Sequence, residues 1–155
     1  MRKKRVLVFG VFDFLHPGHI SFLKQARKRG SELIVVVARD SVVKKLKRKT
    51  PRQNESRRIA ALRRLLFVAH AVRGDSAQGT YAVLRRWKPD VVCVGYDQDG
   101  LRKDLFARMR DSAIAKVTII RLRPFAPHKF RSSLLRQTNP VTARPKGKSF
   151  RVVTG

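Results

Sequence analysis

The chain has 155 residues, 43% of them hydrophobic and 30% charged, which suffices to bury a core in one domain; with no apolar run of about 18 residues, no membrane span is expected. Its 37 Lys+Arg against 10 Asp+Glu leave a formal net charge of +27, which calls for an anionic partner without choosing among nucleic acid, nucleotides and acidic membranes. A single cysteine, Cys93, excludes a disulfide framework and a Cys-based metal cluster and fits a reducing, cytoplasmic location.

The start, "MRKKRVLVFGVF", imitates a signal peptide. Its apolar part is short and followed by Asp13, and no small-residue cleavage site comes after it, so secretion is not expected. "RVLVFG", Arg5 to Gly10, reads as a buried strand of β-branched and apolar residues ending in Gly. "HISFLKQARKRG" places Ile20, Leu23 and Ala26 at helical spacing, with basic residues opposite and Gly30 as the stop. "SELIVVVARD" is a second strand, and a basic segment from Ser41 to Lys49 follows it. "TPRQNESRRIAALRRLLFVAH" carries a helical stripe of Ile59, Leu62, Leu65 and Leu66, and "HAVRGDS" is a short third strand with a turn. "TYAVLRRWKPD" is helical up to the residue before Pro89, and "DVVCVGYDQDG" is a fourth strand with a polar loop. "LRKDLFARMRDS" is a helix and "AKVTIIRL" a fifth strand.

Continuous apolar strands alternating with helices argue for a parallel sheet covered on both faces. The expectation is a single α/β domain, Rossmann-like, with a doubly wound five-stranded parallel sheet over residues 1–138. The turns after Gly10, Arg39, Gly74 and Gly95 should converge at the carboxyl ends of the strands, where such sheets bind ligands. No acidic residue follows Asp111. The last stretch, 139–155, is rich in Pro, Gly and Lys/Arg without periodicity and reads as a basic, mobile tail.

The most informative stretch is "GVFDFLHPGHISFL", where two histidines flank Pro-Gly at a strand-to-helix turn. Pro17 suits the first helical position, which puts His16 near the N-cap and His19 one turn on, both at the positive end of the helix dipole. Gly18 between them leaves room for a bulky ligand. Backbone N–H groups, two imidazole donors and a glycine opening make a polyphosphate seat. Zinc ligation by the two imidazoles is the weaker alternative, because no third ligand is evident and the dipole disfavours a cation.

"GVFDFLHPGHISFLKQA" resembles the HxGH signature of the nucleotidylyltransferase superfamily, small cytidylyltransferase-like α/β enzymes. The resemblance continues in "ARDSVVKKLKRKTP", "NESRR", "PDVVCVGYDQ" and "KFRSSLLR", and covers roughly residues 5 to 136 in the family's order. It implies transfer of a nucleoside monophosphate from an NTP, ATP or CTP, to a phosphorylated small-molecule acceptor, with Mg²⁺ held mainly by the NTP phosphates. His16, His19 and Lys47 match the catalytic positions, with Lys44 and Lys45 competing for the lysine's role and otherwise binding substrate. Gly10, Val11, Phe12, Asp13 and Gly18 would line the phosphate site, and Gly95, Tyr96 and Asp97 the base or ribose end. Arg57 would bind acceptor or triphosphate, and Ser132 and Ser133 would hold the outer phosphates from the far side.

The Arg-Thr-x-Gly-Ile-Ser-Thr-like signature of the cytidylyltransferase branch is replaced here by "RPFAPHKFRSSLLR". "VARDSVVKKLK" and "VGYDQ" resemble the archaeal-type FAD synthetase branch, whose reaction is FMN plus ATP to FAD plus pyrophosphate. That branch tends to carry C-terminal cysteines, which are absent here, and Arg48 stands where a Gly is common after the catalytic lysine. The expected activity is FMN adenylyl transfer. The alternatives are a glycerol-3-phosphate or other phospho-alcohol cytidylyltransferase and, in another class, a nucleic-acid-binding protein on the same scaffold. Nonspecific nucleic-acid binding as a side activity and a homodimer, common among such enzymes, are further expectations.

Overall fold

In a computed structural model of the chain, residues 3–125 are described; Ser132, Ser133 and the segment 139–155 lie outside them. Five strands, β1 (Arg5–Gly10), β2 (Glu32–Val37), β3 (His70–Arg73), β4 (Val91–Val94) and β5 (Thr118–Arg121), form one sheet in the order β3-β2-β1-β4-β5. Every neighbouring pair is parallel. The apolar runs are explained by the pleat, which sends alternate side chains to two cores. Val6, Val8, Leu33, Val35, Val91 and Cys93 lie in one, whereas Leu7, Phe9, Ile34, Val36, Val92 and Val94 lie in the other.

Helices α1 (Pro17–Arg27) and α3 (Glu55–Arg63) cover the first face with Phe22, Leu23, Ala26, Ile59 and Leu62. Helices α4 (Ala82–Trp87) and α5 (Asp99–Arg110) cover the second with Val83, Leu84, Leu101 and Leu105. The chain winds outward from β1 to β3, then crosses to β4 on the other side of β1. The crevice at the carboxyl ends of β1 and β4 is therefore the switch point at which such folds bind ligands.

Three details depart from the sequence reading. The basic segment after β2 forms a further helix, α2 (Asp40–Lys47), in which only Val43 is buried. Asp40 in its first turn and Lys44, Lys45 and Lys47 in its last complement the helix dipole, so charge order supports it where an apolar stripe is lacking. The second correction is Leu66, which is fully exposed. α3 stops at Arg63, and tight turns through Leu65 N–H to Leu62 O (3.0 Å) and Val68 N–H to Leu65 O (3.1 Å) rotate Leu65 and Phe67 inward and Leu66 out. Third, Ile20 is only half-buried, and His19 and Phe22 take the inner face of α1 with Leu23 and Ala26.

The carboxyl ends are tied together by a buried cation. Arg58, on α3, is 0% exposed. Its Nη1 donates to Val11 O in the β1–α1 loop (2.9 Å), its Nε to Gln53 O (3.0 Å), and its Nη2 to Asp40 Oδ1 on α2 (2.6 Å). Asp40 and Glu55 accept from each other's backbone N–H, at 2.8 and 3.1 Å, and Glu55 also pairs with Arg73 Nε at 2.6 Å. A planar guanidinium can serve three acceptors in a fixed fork, which an ammonium cannot.

Two outcomes are expected. Arg58→Met strands two carbonyls and a carboxylate and should cost about 3–5 kcal/mol in denaturant unfolding, with Arg58→Lys recovering only part. Arg48, which caps α2 with a left-handed φ of 55°, stands where glycine carries no Cβ penalty; Arg48→Gly should raise stability by about 1 kcal/mol in the same measurement.

Candidate active site

The loop from β1 to α1 is held in an uncommon shape. Phe12 and Phe14 both adopt left-handed φ, 56° and 50°, which is unfavourable for bulky residues and persists only where surroundings enforce it. The Asp13 carboxylate accepts from the backbone N–H groups of Arg52 (2.8 Å) and Gln53 (3.0 Å), and Phe14 N–H donates to Gln53 Oε1 (3.0 Å). Together with Arg58 on Val11 O, these bonds clamp the loop to the segment before α3. The Phe12 ring folds back over Gly10, where a Cβ would lie 2.4 Å from a ring carbon, so Gly10 is needed for close approach.

His16 is the N-cap of α1, and His19 sits at the third helical position. His16 Nδ1 accepts from the N–H of Gly18 (3.1 Å) and of His19 (3.4 Å), and His16 N–H donates back to His19 Nδ1 (3.4 Å), a capping box made of two imidazoles. The sequence reading offered those helix-end N–H groups to a ligand. The structure shows them already capped by His16. With Nδ1 accepting, a neutral His16 carries its proton on Nε2, which becomes the ring's donor.

The rings stack with centroids 3.8 Å apart and planes 23° apart, and Phe12 packs edge-on against His19 at 5.6 Å. Burial, then the neighbouring charge of His16, push the His19 pKa down to about 3, against the opposing pull of a backbone hydrogen bond to Phe14. His19 is therefore neutral at physiological pH.

Two pockets flank the carboxyl end of β1. One, at the switch point, is lined by Phe12, Gly18, Gly95, Tyr96, Asp97 and Gln98. Gln98 is buried there and bridges the ends of β1 and β4, accepting from Gly95 N–H (2.6 Å) and donating to Phe9 O (3.2 Å). Both carboxylate oxygens of Asp97 are withdrawn from solvent, and Tyr96 O accepts from Arg121 at 2.8 Å. The other pocket lies between the ends of β1, β2 and β3, with Phe9, Gly10, Val36, Arg39, Asp75 and Tyr81 among its walls. Arg39 Nε donates to Gly74 O (2.8 Å), and Tyr81 Oη donates to Asp104 Oδ2 (2.6 Å), which fixes two of those walls. The four turns expected at this end thus do meet, but around two cavities.

Not every expected residue joins them. Lys47 lies one turn beyond Val43, on the inward side of α2, and is half-buried; Lys44 and Lys45 are exposed. Arg57 is exposed on α3, and its neighbour Arg58 is the buried arginine. Asp13 has its carboxylate engaged by loop backbone. Arg58, Gln53 and Asp40 went unremarked in the sequence, and Gln98 entered only as the end of the "GYDQ" segment, because a lone polar residue within a helix start or loop gives no sign of what it will bridge.

Residues 7–138 match the Cytidylyltransferase-like family. The chain is 42% identical over 121 residues to the FAD synthase of Pyrococcus abyssi, covering 78% of this chain and 81% of that one. It is 38% identical over 141 residues to the FAD synthase of Pyrococcus horikoshii, covering 91% and 94%. Among solved structures, the lipopolysaccharide core biosynthesis protein from Thermoplasma volcanium superposes with a TM-score of 0.73 at 36% identity, over 81% of this chain and 100% of that one. Pantoate-beta-alanine ligase from Francisella tularensis shares the fold, with a TM-score of 0.58 at 16% identity over 94% of this chain and 69% of that one. With a histidine pair at the switch point and these likenesses along most of its length, the chain belongs to the cytidylyltransferase-like nucleotidyltransferases, in the branch of the archaeal FAD synthases.

Proposed function

We propose that the protein is an FMN adenylyltransferase, joining the AMP moiety of ATP to the phosphate of FMN and releasing pyrophosphate. The observation that carries the transfer chemistry is the stacked His16–His19 pair beside the switch-point pocket. The choice of FMN is supported by the likeness to FAD synthases and by the second pocket. Its apolar walls, with Arg39 and Asp75 as the charged groups, suit a flat isoalloxazine ring bearing a few polar edges.

ATP would occupy the pocket of Gly18, Gly95, Tyr96, Asp97 and Gln98, with its triphosphate at the β1–α1 turn. The FMN phosphate, with a second pKa of about 6, is already an anionic nucleophile at neutral pH and needs no general base. One of its oxygens attacks the α-phosphorus in line, and the bond from that phosphorus to the bridging oxygen of the β-phosphate breaks. The leaving pyrophosphate takes the electron pair. A neutral imidazole at a helix N-terminus is a suitable electrophile for such charge. His16, through Nε2–H, would donate to the phosphate oxygens as negative charge moves to the leaving group, and His19 would join it by exchanging its bond to the Phe14 backbone for one to phosphate. Lys47 is the lysine whose position on α2 best suits a share in that task. Arg57, Lys44 and Lys45 would then act at most as an outer cationic rim, and Ser132 and Ser133 remain the resemblance's candidates for the far phosphates.

Among the described residues no group of three His, Cys, Asp or Glu is placed to hold a metal ion. Mg²⁺ would accordingly arrive on the triphosphate and be completed by water, supplying charge neutralisation there.

Three measurements test this reading. A pyrophosphate-release screen crossing ATP and CTP with FMN, glycerol 3-phosphate, phosphopantetheine and phosphocholine should give turnover with ATP and FMN; turnover only with CTP would sink it. His16→Ala and His19→Ala should each lower kcat by a factor of about a hundred with the fold intact by circular dichroism. The third reads His19 through stability. Its folded pKa, about 3, lies below the unfolded value of about 6.5, so its contribution is full above pH 6.5 and fades as the pH falls toward 3. Between about pH 6.5 and 4.5 the wild type should lose about 2 kcal/mol more than His19→Asn.

A further inference from the structure

We infer that the outer face of α1 and the strand end that follows β5 form a binding groove for single-stranded nucleic acid, which runs outward from His16 at the edge of the adenylyl-transfer site. Lys24 on α1 and Lys28 at its C-cap stand one turn apart, about 6 Å along the axis. Both are exposed and line one open groove with Arg29, Arg123, Ile20 and Phe125. The opposite wall is fixed by a reciprocal pair, in which Gln25 Nε2 donates to Arg123 O (3.0 Å) and Arg123 N–H donates to Gln25 Oε1 (3.0 Å). The groove is thus a built feature joining residues 98 positions apart.

Among the described residues, none that lines this groove is acidic. From Phe14 to Ser31 the chain carries no acidic residue at all. Of the 10 acids, several elsewhere are committed: Asp13 to backbone amides, Glu32 to Arg5, Asp40 to Arg58, Glu55 to Arg73, Asp104 to Arg108, Asp99 to Arg121; Asp97 lies in the adjoining pocket. None of the ion pairs among the described residues involves Lys24, Lys28, Arg29 or Arg123. A high formal charge spread evenly would be a solvated surface. Here the acids are withdrawn from one side, and four cations line a trough with an aromatic ring at its end.

That combination of phosphate-binding cations along a track and a ring on which a base can stack is what sequence-tolerant single-strand binding requires. A double helix fits less well, because the trough is lined partly by apolar Ile20, Leu15 and Phe125, which exposed bases can cover and a phosphate-faced duplex cannot. Arg123 and Phe125 also line the switch-point pocket, so the groove opens directly off the candidate ATP site.

The test uses the full chain and a fluorescein-labelled oligouridylate of about 20 nucleotides, followed by anisotropy between about 50 and 200 mM salt. Lys24→Gln/Lys28→Gln/Arg29→Gln is compared with Arg64→Gln/Arg85→Gln/Arg86→Gln, which removes the same charge from the C-cap of α3 and from α4. The groove variant should bind at least about ten-fold more weakly and lose about 2 from the slope of log K against log salt, while the control changes less than about three-fold. Both variants should keep their thermal midpoint and pyrophosphate release, since none of the six residues lies in the adenylyl-transfer site. Equal losses in the two variants would overturn the proposal in favour of general charge. So would the absence of RNA binding by the wild type, or binding to phosphatidylglycerol vesicles without binding to RNA.

Discussion

The active end of this molecule depends on one buried guanidinium. Arg58 holds the β1–α1 loop, the start of α2 and the segment before α3 at a single point, and it is wholly removed from water. Such a charge is tolerated only when each of its donors is matched, because the cost of desolvation is large and a missing partner is not replaced by solvent. The three partners must therefore arrive together. The left-handed turns at Phe12 and Phe14, which would otherwise relax, are enforced by that assembly, and the direction in which α1 presents its histidines follows from the turn.

The same economy governs charge. A chain with 37 Lys+Arg and 10 Asp+Glu might be expected to seat a polyphosphate on cations. At the β1–α1 turn it places a stacked histidine pair, of which His19 is kept uncharged by burial. Under the proposed function, a neutral donor there would stabilise charge that develops in the transition state without first locking the ground-state triphosphate in place. Arg58 and Lys47 apart, cations near this end such as Lys44, Lys45 and Arg57 are exposed, where long-range attraction rather than alignment is useful. The few acids are spent as structural partners, several of them around the β1–α1 loop.

Much of the architecture was legible in the sequence. The five strands were readable because each is buried on both faces, so every position must be apolar and the run has no interruptions. α2 was not readable, since a helix that buries only Val43 leaves no stripe. Ile20 and Leu66 were read as core for the opposite reason: helical spacing is a property of an ideal helix, and α1 is rolled to bury His19 and Phe22 while α3 has ended before Leu66. In "NESRR" the two arginines are chemically identical, and only the position of α3 against the β1–α1 loop decides that Arg58 goes inward and Arg57 outward.

What the sequence by itself determined is the geometry at the turn. A histidine, a proline, a glycine and a histidine following a buried strand have few physical uses, since the proline sets the helix start and the spacing sets both rings on one side of it. What only the tertiary structure decided is which polar groups are spent on the fold and which remain for a ligand. The helix-end amides went to His16, the Asp13 carboxylate to the loop before α3, and the inward arginine to a three-way tie. The last two of these depend in part on distant partners, Gln53 lying 40 positions from Asp13 and Val11 lying 47 from Arg58, and local pattern carries no information about which distant carbonyl or carboxylate will come within reach.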